Sequence, residues 1–224
     1  MARTDITLGI DTAAGIDVGL STGRRRTITD TRRHAEALMT AVTALLEEAG
    51  LTLADVGRIG VGVGPGPFTG LRVGLATAQT LGFALDVPVT GVCSLDVIAL
   101  DFATNGPDVP PEFVAALDAR RRELFWARYD RAGRRLGEPR VGDPRDLPGL
   151  PVVGPGAAVY PDLVRPVGGP LGVDAAFLAA HLGGLPDAGL EPLYLRQPDA
   201  DVPGTRKSVL TTGLRLPSPA GGPS

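Results

Sequence analysis

The chain has 224 residues, 43% of them hydrophobic, which is enough for a sizeable core in one large or two small domains. Its formal net charge of −3 gives the molecule as a whole no attraction for phosphate backbones, so any service to nucleic acid is expected through a partner or a local patch. The single cysteine, Cys93, excludes an internal disulfide and a cysteine-based zinc cluster.

The first residues, MARTDITLGIDTAAG, contain no long apolar run, so no signal peptide is expected. No segment reaches the ~20 apolar residues that span a bilayer. A soluble, cytoplasmic protein with no membrane partner is the expectation. Lys207 is the only lysine among 22 basic residues, a bias that fits GC-rich coding better than physical design. The runs Arg24–Arg26 and Arg120–Arg122 read as solvated turn residues, with a minor RNA-facing patch as the sharper alternative.

The elements follow in chain order. Thr7 to Ala13 reads as a buried strand, Ile16 to Leu20 as a second and Arg26 to Asp30 as a third. TRRHAEALMTAVTALLEEAG places Ala35, Leu38, Met39, Val42, Leu45, Leu46 and Ala49 at helical spacing, and Gly50 supplies the stop. Arg58 to Gly64 predicts a strand, Gly70 to Leu85 a helix, Val87 to Val92 a strand, and Leu95 to Phe102 a helix capped by Ser94. Residues 103–111 are proline-rich and mark a boundary between units 1–102 and 112–201. Strands are then expected at Glu112–Leu117, Glu123–Tyr129, Leu136–Val141 and Pro151–Gly154, and an extended piece at Pro192–Arg196. A short helix near Pro144, a weak one over Ala157–Val164 and one capped by Asp174 complete the series. Residues 202–224 are polar and proline-rich, and a disordered tail is expected there.

Two successive βββαβα units are the α/β plan of the actin, Hsp70 and sugar-kinase superfold, also described as ribonuclease H-like. No sequence repeat is visible, so the duplication rests on element order alone.

In GVGPGPFTGLRVG, Pro65 and Pro67 stiffen the chain and hold Gly64 and Gly66 out of the helical region. Thr69 is expected to cap the following helix by accepting from the Arg72 amide. The segment Gly64–Gly70, with Phe68 and Arg72, then acts as a strut that sets a helix at a fixed angle. It lacks the lysine of GxxxxGK[ST] and does not match GxGxxG, which argues against a phosphate loop. Gly70, Gly74, Ala78 and Gly82 form a side-chain-poor stripe. Each interior glycine costs about 1 kcal/mol against alanine, so close approach to something must compensate. That something is either the chain's own helix and sheet or a second protein.

The histidines, His34 and His181, lie far apart and form no HxxxH or HExxH pair, and no GxSxG elbow exists. Cys93 reads as a small buried hydrophobe, and Phe125 and Trp126 as core. Asp11 and Asp118 each end the first strand of a unit. They either hold their turns or are vestiges of turns that approach phosphate and metal.

LGIDTA, GVGPGPFTGLRVGLATAQTLGFAL, VPVTGVCSLDVIA, ALDARRRELFWARYD, VVGPGAAVYPDL and EPLYLR together resemble the bacterial TsaB (YeaZ) family, from about Leu8 to Arg196. The resemblance implies a non-catalytic dimerization subunit that supports the TsaD transferase. That enzyme threonylcarbamoylates the adenosine next to the anticodon in tRNAs reading ANN codons. It also implies a TsaE-like ATPase in the assembly, a homodimer when the chain is alone, and tRNA reached only indirectly. The two metal-binding histidines of the TsaD paralogue correspond to Ser94 and Ile98 here. No tightly bound cofactor is expected, and ATP or ADP only in the assembled complex. The first two long helices are the family's pairing surface, which assigns the partner interface to His34, Leu38, Val42, Leu45, Leu46, Leu71, Gly74, Leu75, Ala78 and Gly82. The rival readings are a catalytically active kinase or metallopeptidase-like hydrolase of the same superfold, and a pure tRNA-binding module.

Overall fold

A computed structural model describes residues 6–28, 34–168 and 172–196. The first half runs β1 (Ile6–Asp11), β2 (Ile16–Leu20), β3 (Arg25–Ile28), α1 (His34–Glu48), β4 (Val56–Gly62), α2 (Phe68–Leu85), β5 (Val89–Val92) and α3 (Ser94–Asn105). Its sheet has the order β3-β2-β1-β4-β5. The hairpin pairs β1–β2 and β2–β3 are antiparallel, and the crossovers β1–β4 and β4–β5 are parallel. The second half runs β6 (Glu112–Asp118), β7 (Leu124–Asp130), β8 (Arg140–Gly142), β9 (Pro151–Val153), α4 (Pro155–Val159), β10 (Arg165–Pro166) and α5 (Ala175–His181).

The second sheet has the order β10-β9-β6-β7-β8, with the same senses at every step. The two halves therefore share one topology, and the fold is the actin-like, ribonuclease H-like plan. The second copy is abbreviated. Where α1 links strands in the first half, the second has a single 3₁₀ turn, Pro144–Asp146, capped by Asp143 accepting from the Arg145 amide. The connection from β8 to β9 is too short and too rich in proline for a helix.

The halves exchange their last helices. α3 packs on β6, β7 and β9 of the second sheet, and α5 packs on β1 and β2 of the first. Close approach of α5 requires glycine beneath it. A Cβ on Gly9 would collide with the Ala175 carbonyl, and one on Gly19 with the Ala176 amide. Arg25 locks this contact. Its Nε and one terminal nitrogen donate to both Asp17 oxygens at 2.7 Å, and the other terminal nitrogen reaches Asp174 at 3.0 Å. The bidentate fork is the strong form of such a pair. Arg25 is thus a structural clamp and Arg26 pairs with Glu48, so neither is the plain solvated turn residue expected of that run.

The expected interface side chains form this chain's own core. Leu38, Val42, Leu45, Leu46, Leu71, Leu75 and Ala78 are all buried. All but Leu71 join Leu8, Ile10, Val18, Leu20, Ile59 and Val61 of the first sheet in one cluster, and Leu71 packs with α3 and the second sheet. Helical periodicity showed an apolar arc, and the arc closes on the chain's own sheets. The glycine stripe does likewise: a Cβ on Gly74 would strike the Thr12 side chain, and one on Gly82 would strike Val89. Close approach is what these glycines provide, and the neighbour is internal. The expectation for the His34 side chain, like that for the tail beyond Val202, lies outside the described residues.

Several boundaries differ from expectation. α2 begins at Phe68 after Pro67 as N-cap, with no side-chain cap, so Thr69 does not cap it. Ser94 is the first residue of α3, not its cap, because its hydroxyl is used elsewhere. Residues 103–105, expected in the connection, are the last turn of α3. Pro192–Arg196 is irregular, although the Leu193 amide donates to the Val63 carbonyl at 2.8 Å.

Candidate functional site

The glycine-proline loop is held from three directions. The Val63 amide donates to Val92, the Ser94 amide to the Gly64 carbonyl at 2.8 Å, and Leu193 to Val63. The Gly64–Pro65 peptide is cis. At the helix start, the Phe68 ring stacks on Tyr194 with centroids 4.8 Å apart. The Arg72 guanidinium lies 3.7 Å from the Phe68 ring centroid, and its Nε donates to the Tyr194 hydroxyl at 2.9 Å. Cation–π and stacking contacts of this kind fix the direction in which α2 leaves the loop.

With its apolar arc turned inward, the α1–α2 pair leaves a different flank outside. Thr40 and Thr43 of α1 are exposed, as are Ala76, Thr80, Phe83 and Ala84 of α2, while Val73 and Ala44 are half-buried. These side chains are small and uncharged, except Phe83. Phe83 is 92% exposed, the most exposed large hydrophobic among the described residues. Sequence reading missed Phe83, although positions 73, 76, 80, 83 and 84 form a stripe at helical spacing opposite the buried one.

Asp11 and Asp118 occupy equivalent places in the two halves. Each accepts from the amide two residues on, Asp11 from Ala13 and Asp118 from Arg120, both at 2.8 Å. Asp118 also pairs with the Arg120 side chain at 3.2 Å. Asp11 goes further, accepting the Ser94 hydroxyl at 2.6 Å while buried. Burial pushes its carboxyl from 3.8 to about 6; the Ser94 and Ala13 hydrogen bonds oppose that rise, and neighbouring Asp17 adds to it. A cavity of about 490 Å³ opens between the halves beside Asp11, Asp17, Arg25, Asp101, Pro155 and Asp174. Among the described residues, no group of three or more His, Cys, Asp or Glu side chains is placed to hold a metal ion.

A second buried polar set was invisible in the sequence. The Tyr129 hydroxyl donates to Asp96 at 2.7 Å, and Arg135 reaches the same oxygen at 3.3 Å. It pins α3 to the β7 strand and the turn after it. Beside it, burial pushes the Cys93 thiol up to about 12, so this cysteine is inert as a nucleophile. Among the described residues, no helix is long and apolar enough to cross a membrane.

Comparison with known proteins places this geometry. The family model described as TsaD: tRNA N6-adenosine threonylcarbamoyltransferase matches residues 27–161. An uncharacterized protein of Mycobacterium tuberculosis is 41% identical over 213 residues, covering 89% of this chain and 97% of that protein. The tRNA threonylcarbamoyladenosine biosynthesis protein TsaB of Escherichia coli is 36% identical over 101 residues, which is 45% of this chain and 42% of TsaB. A Mycobacterium leprae relative, 40% identical, is longer, and the match spans 56% of it. Among solved structures, YeaZ from Pseudomonas aeruginosa superposes with a TM-score of 0.67 at 29% identity, covering 85% of this chain and all of that one.

Proposed function

The chain belongs to the family described by the TsaD model and, within it, to the TsaB (YeaZ) proteins, and from that premise we propose that it acts in the cytoplasm in tRNA threonylcarbamoyladenosine biosynthesis, as a non-catalytic subunit that binds a TsaD-like transferase. The observation that carries this reading is the outward flank of α1 and α2. An almost fully exposed phenylalanine on a stripe of alanine, threonine and valine adds nothing to the fold of this chain and serves well at the centre of an interface. Small neighbours let a second helix pair approach, and Phe83 supplies the anchor. The same flank pairs two copies of the chain when the transferase is absent, and a TsaE-like ATPase joins the heterodimer.

The non-catalytic part of the reading is supported by the cleft. Ser94 and Ile98, the positions corresponding to the paralogue's metal-binding histidines, are both buried: Ser94 bonds to Asp11, and Ile98 is core. The cavity wall carries Asp11, Asp17, Asp101 and Asp174 against Arg25, so without a cation it repels a polyphosphate. This argues against tight nucleotide binding by the chain alone.

Mixing the purified chain with a TsaD-like transferase and measuring complex formation tests the reading. Phe83→Asp should weaken pairing by roughly tenfold to a hundredfold, the value of one large buried side chain. Undiminished pairing would remove the flank from the interface.

A further inference from the structure

We propose that the groove between the Gly66–Phe68 loop and the β6–β7 turn is a binding site for the phosphate backbone of RNA. The turn carries Arg120, Arg121 and Arg122 in succession, with φ of 60°, 53° and 63°. Three consecutive non-glycine residues in the left-handed region form a conformation that a Cβ disfavours at every position. The turn is nevertheless fully determined. The Ala119 amide donates to the Glu123 carbonyl and the Glu123 amide to the Arg120 carbonyl, both at 3.0 Å, and Asp118 holds the Arg120 amide. Glycine is the residue that relieves such strain, yet three arginines stand here, and all three are exposed. Backbone strain of this kind gathers at sites that bind.

The rest of the groove supplies more of the same chemistry. Arg196 lines it, donating to the Ala119 carbonyl at 3.1 Å and pairing with Glu123. Phe68 and Tyr194 form an aromatic wall, with Arg72 against it. The space between is about 250 Å³ and is also bounded by Pro67 and Phe125. Three arginines, Arg120, Arg121 and Arg196, thus line the groove with Asp118, and Arg72 backs its aromatic wall, on a chain whose overall charge is −3. Guanidinium forks match phosphate oxygens in shape and charge. Arginines displayed on an open turn suit a polyanion, which binds by summed phosphate contacts and counterion release, better than a small anion, which needs enclosure. That the polyanion is RNA rests on the pathway proposed above; the site itself rests on the turn and the groove. The contact is direct, where the family resemblance implied RNA reached only through the partner.

The test uses the purified full-length chain and fluorescently labelled tRNA, with anisotropy measured over a range of salt. The groove variant carries Arg120→Glu and Arg121→Glu, the two turn arginines that line the groove. The control carries Arg58→Glu and Arg131→Glu, the same change of net charge at exposed arginines elsewhere. The groove variant should bind tRNA about tenfold or more weakly than the control, and its slope of log K against log salt should fall by roughly 1.4–1.8 for two lost contacts. Equal weakening in both variants would overturn the site. Displacement of tRNA by micromolar inorganic triphosphate would make it a small-anion pocket and overturn the polynucleotide. Circular dichroism verifies folding, and Arg121→Glu alone serves if the double variant unfolds. Complex formation with the transferase, measured on the same proteins, separates the two readings: lost pairing speaks only to the α1–α2 flank, and lost tRNA with retained pairing speaks only to the groove.

Discussion

The Ser94 hydroxyl donates to the Asp11 carboxylate at 2.6 Å, joining the end of β1 to the start of α3. Since α3 packs on the second sheet, this bond couples the two halves through the floor of their cleft. It also ties stability to pH. Asp11 titrates at about 6 in the folded chain and at 3.8 unfolded, so the native state holds its proton more tightly. The stabilisation is fully present below about pH 4 and is lost as pH rises through 6. Asp11→Asn should therefore be more stable than the parent at neutral pH, by up to about 3 kcal/mol, with the gain vanishing near pH 4. Urea melts at a series of pH values measure this. A constant difference across the range would show that Asp11 titrates normally.

Arg25 should be the most sensitive arginine. Arg25→Ala leaves Asp17, 9% exposed at its side chain, with a charge supported only by Thr27 and the Ala175 amide. The side chain of Arg25 is itself one-third exposed, so solvent screening moderates the loss to about 2 kcal/mol. Lysine should recover only part, because an ammonium cannot bridge both carboxylate oxygens. Hydrogen exchange should show α5 losing protection before the rest of the fold.

Gly74→Ala and Gly82→Ala set helix propensity against packing. Alanine gains about 1 kcal/mol in the helix, but its methyl must displace Thr12 in one case and Val89 in the other. Overpacking of this kind costs about 1–3 kcal/mol, so both variants should melt lower than the parent. A higher Tm for either would mean that the neighbouring side chain yields freely.

Leu45 and Phe83 should behave in opposite ways. Leu45 is 1% exposed, and Leu45→Ala should cost about 2–5 kcal/mol in stability, while Leu45→Arg should not fold at all. Phe83→Asp should leave stability within about 0.5 kcal/mol and act on complex formation alone. Thermal melts and pairing measured on the same samples separate a core residue from a contact residue.

Much was legible before any coordinates. The order of strands and helices was readable because period-2 and period-3.6 patterns and glycine or proline punctuation are local properties. The turn carboxylates Asp11 and Asp118 were visible as strand-ending residues, and the cap of α5 as Asp174. What covers each element was not local. An apolar arc on α1 announces that a face is buried but is silent on whether a sheet or a second protein buries it. Only the packed structure assigned Leu38, Val42, Leu45 and Leu46 to the inside and exposed Phe83 instead. The exchange of α3 and α5 depends on contacts between residues more than a hundred positions apart, such as Arg25 with Asp174. The repeated strand order, unsupported by any sequence repeat, emerged only from hydrogen-bond pairing, because topology is conserved by backbone geometry and not by side-chain identity.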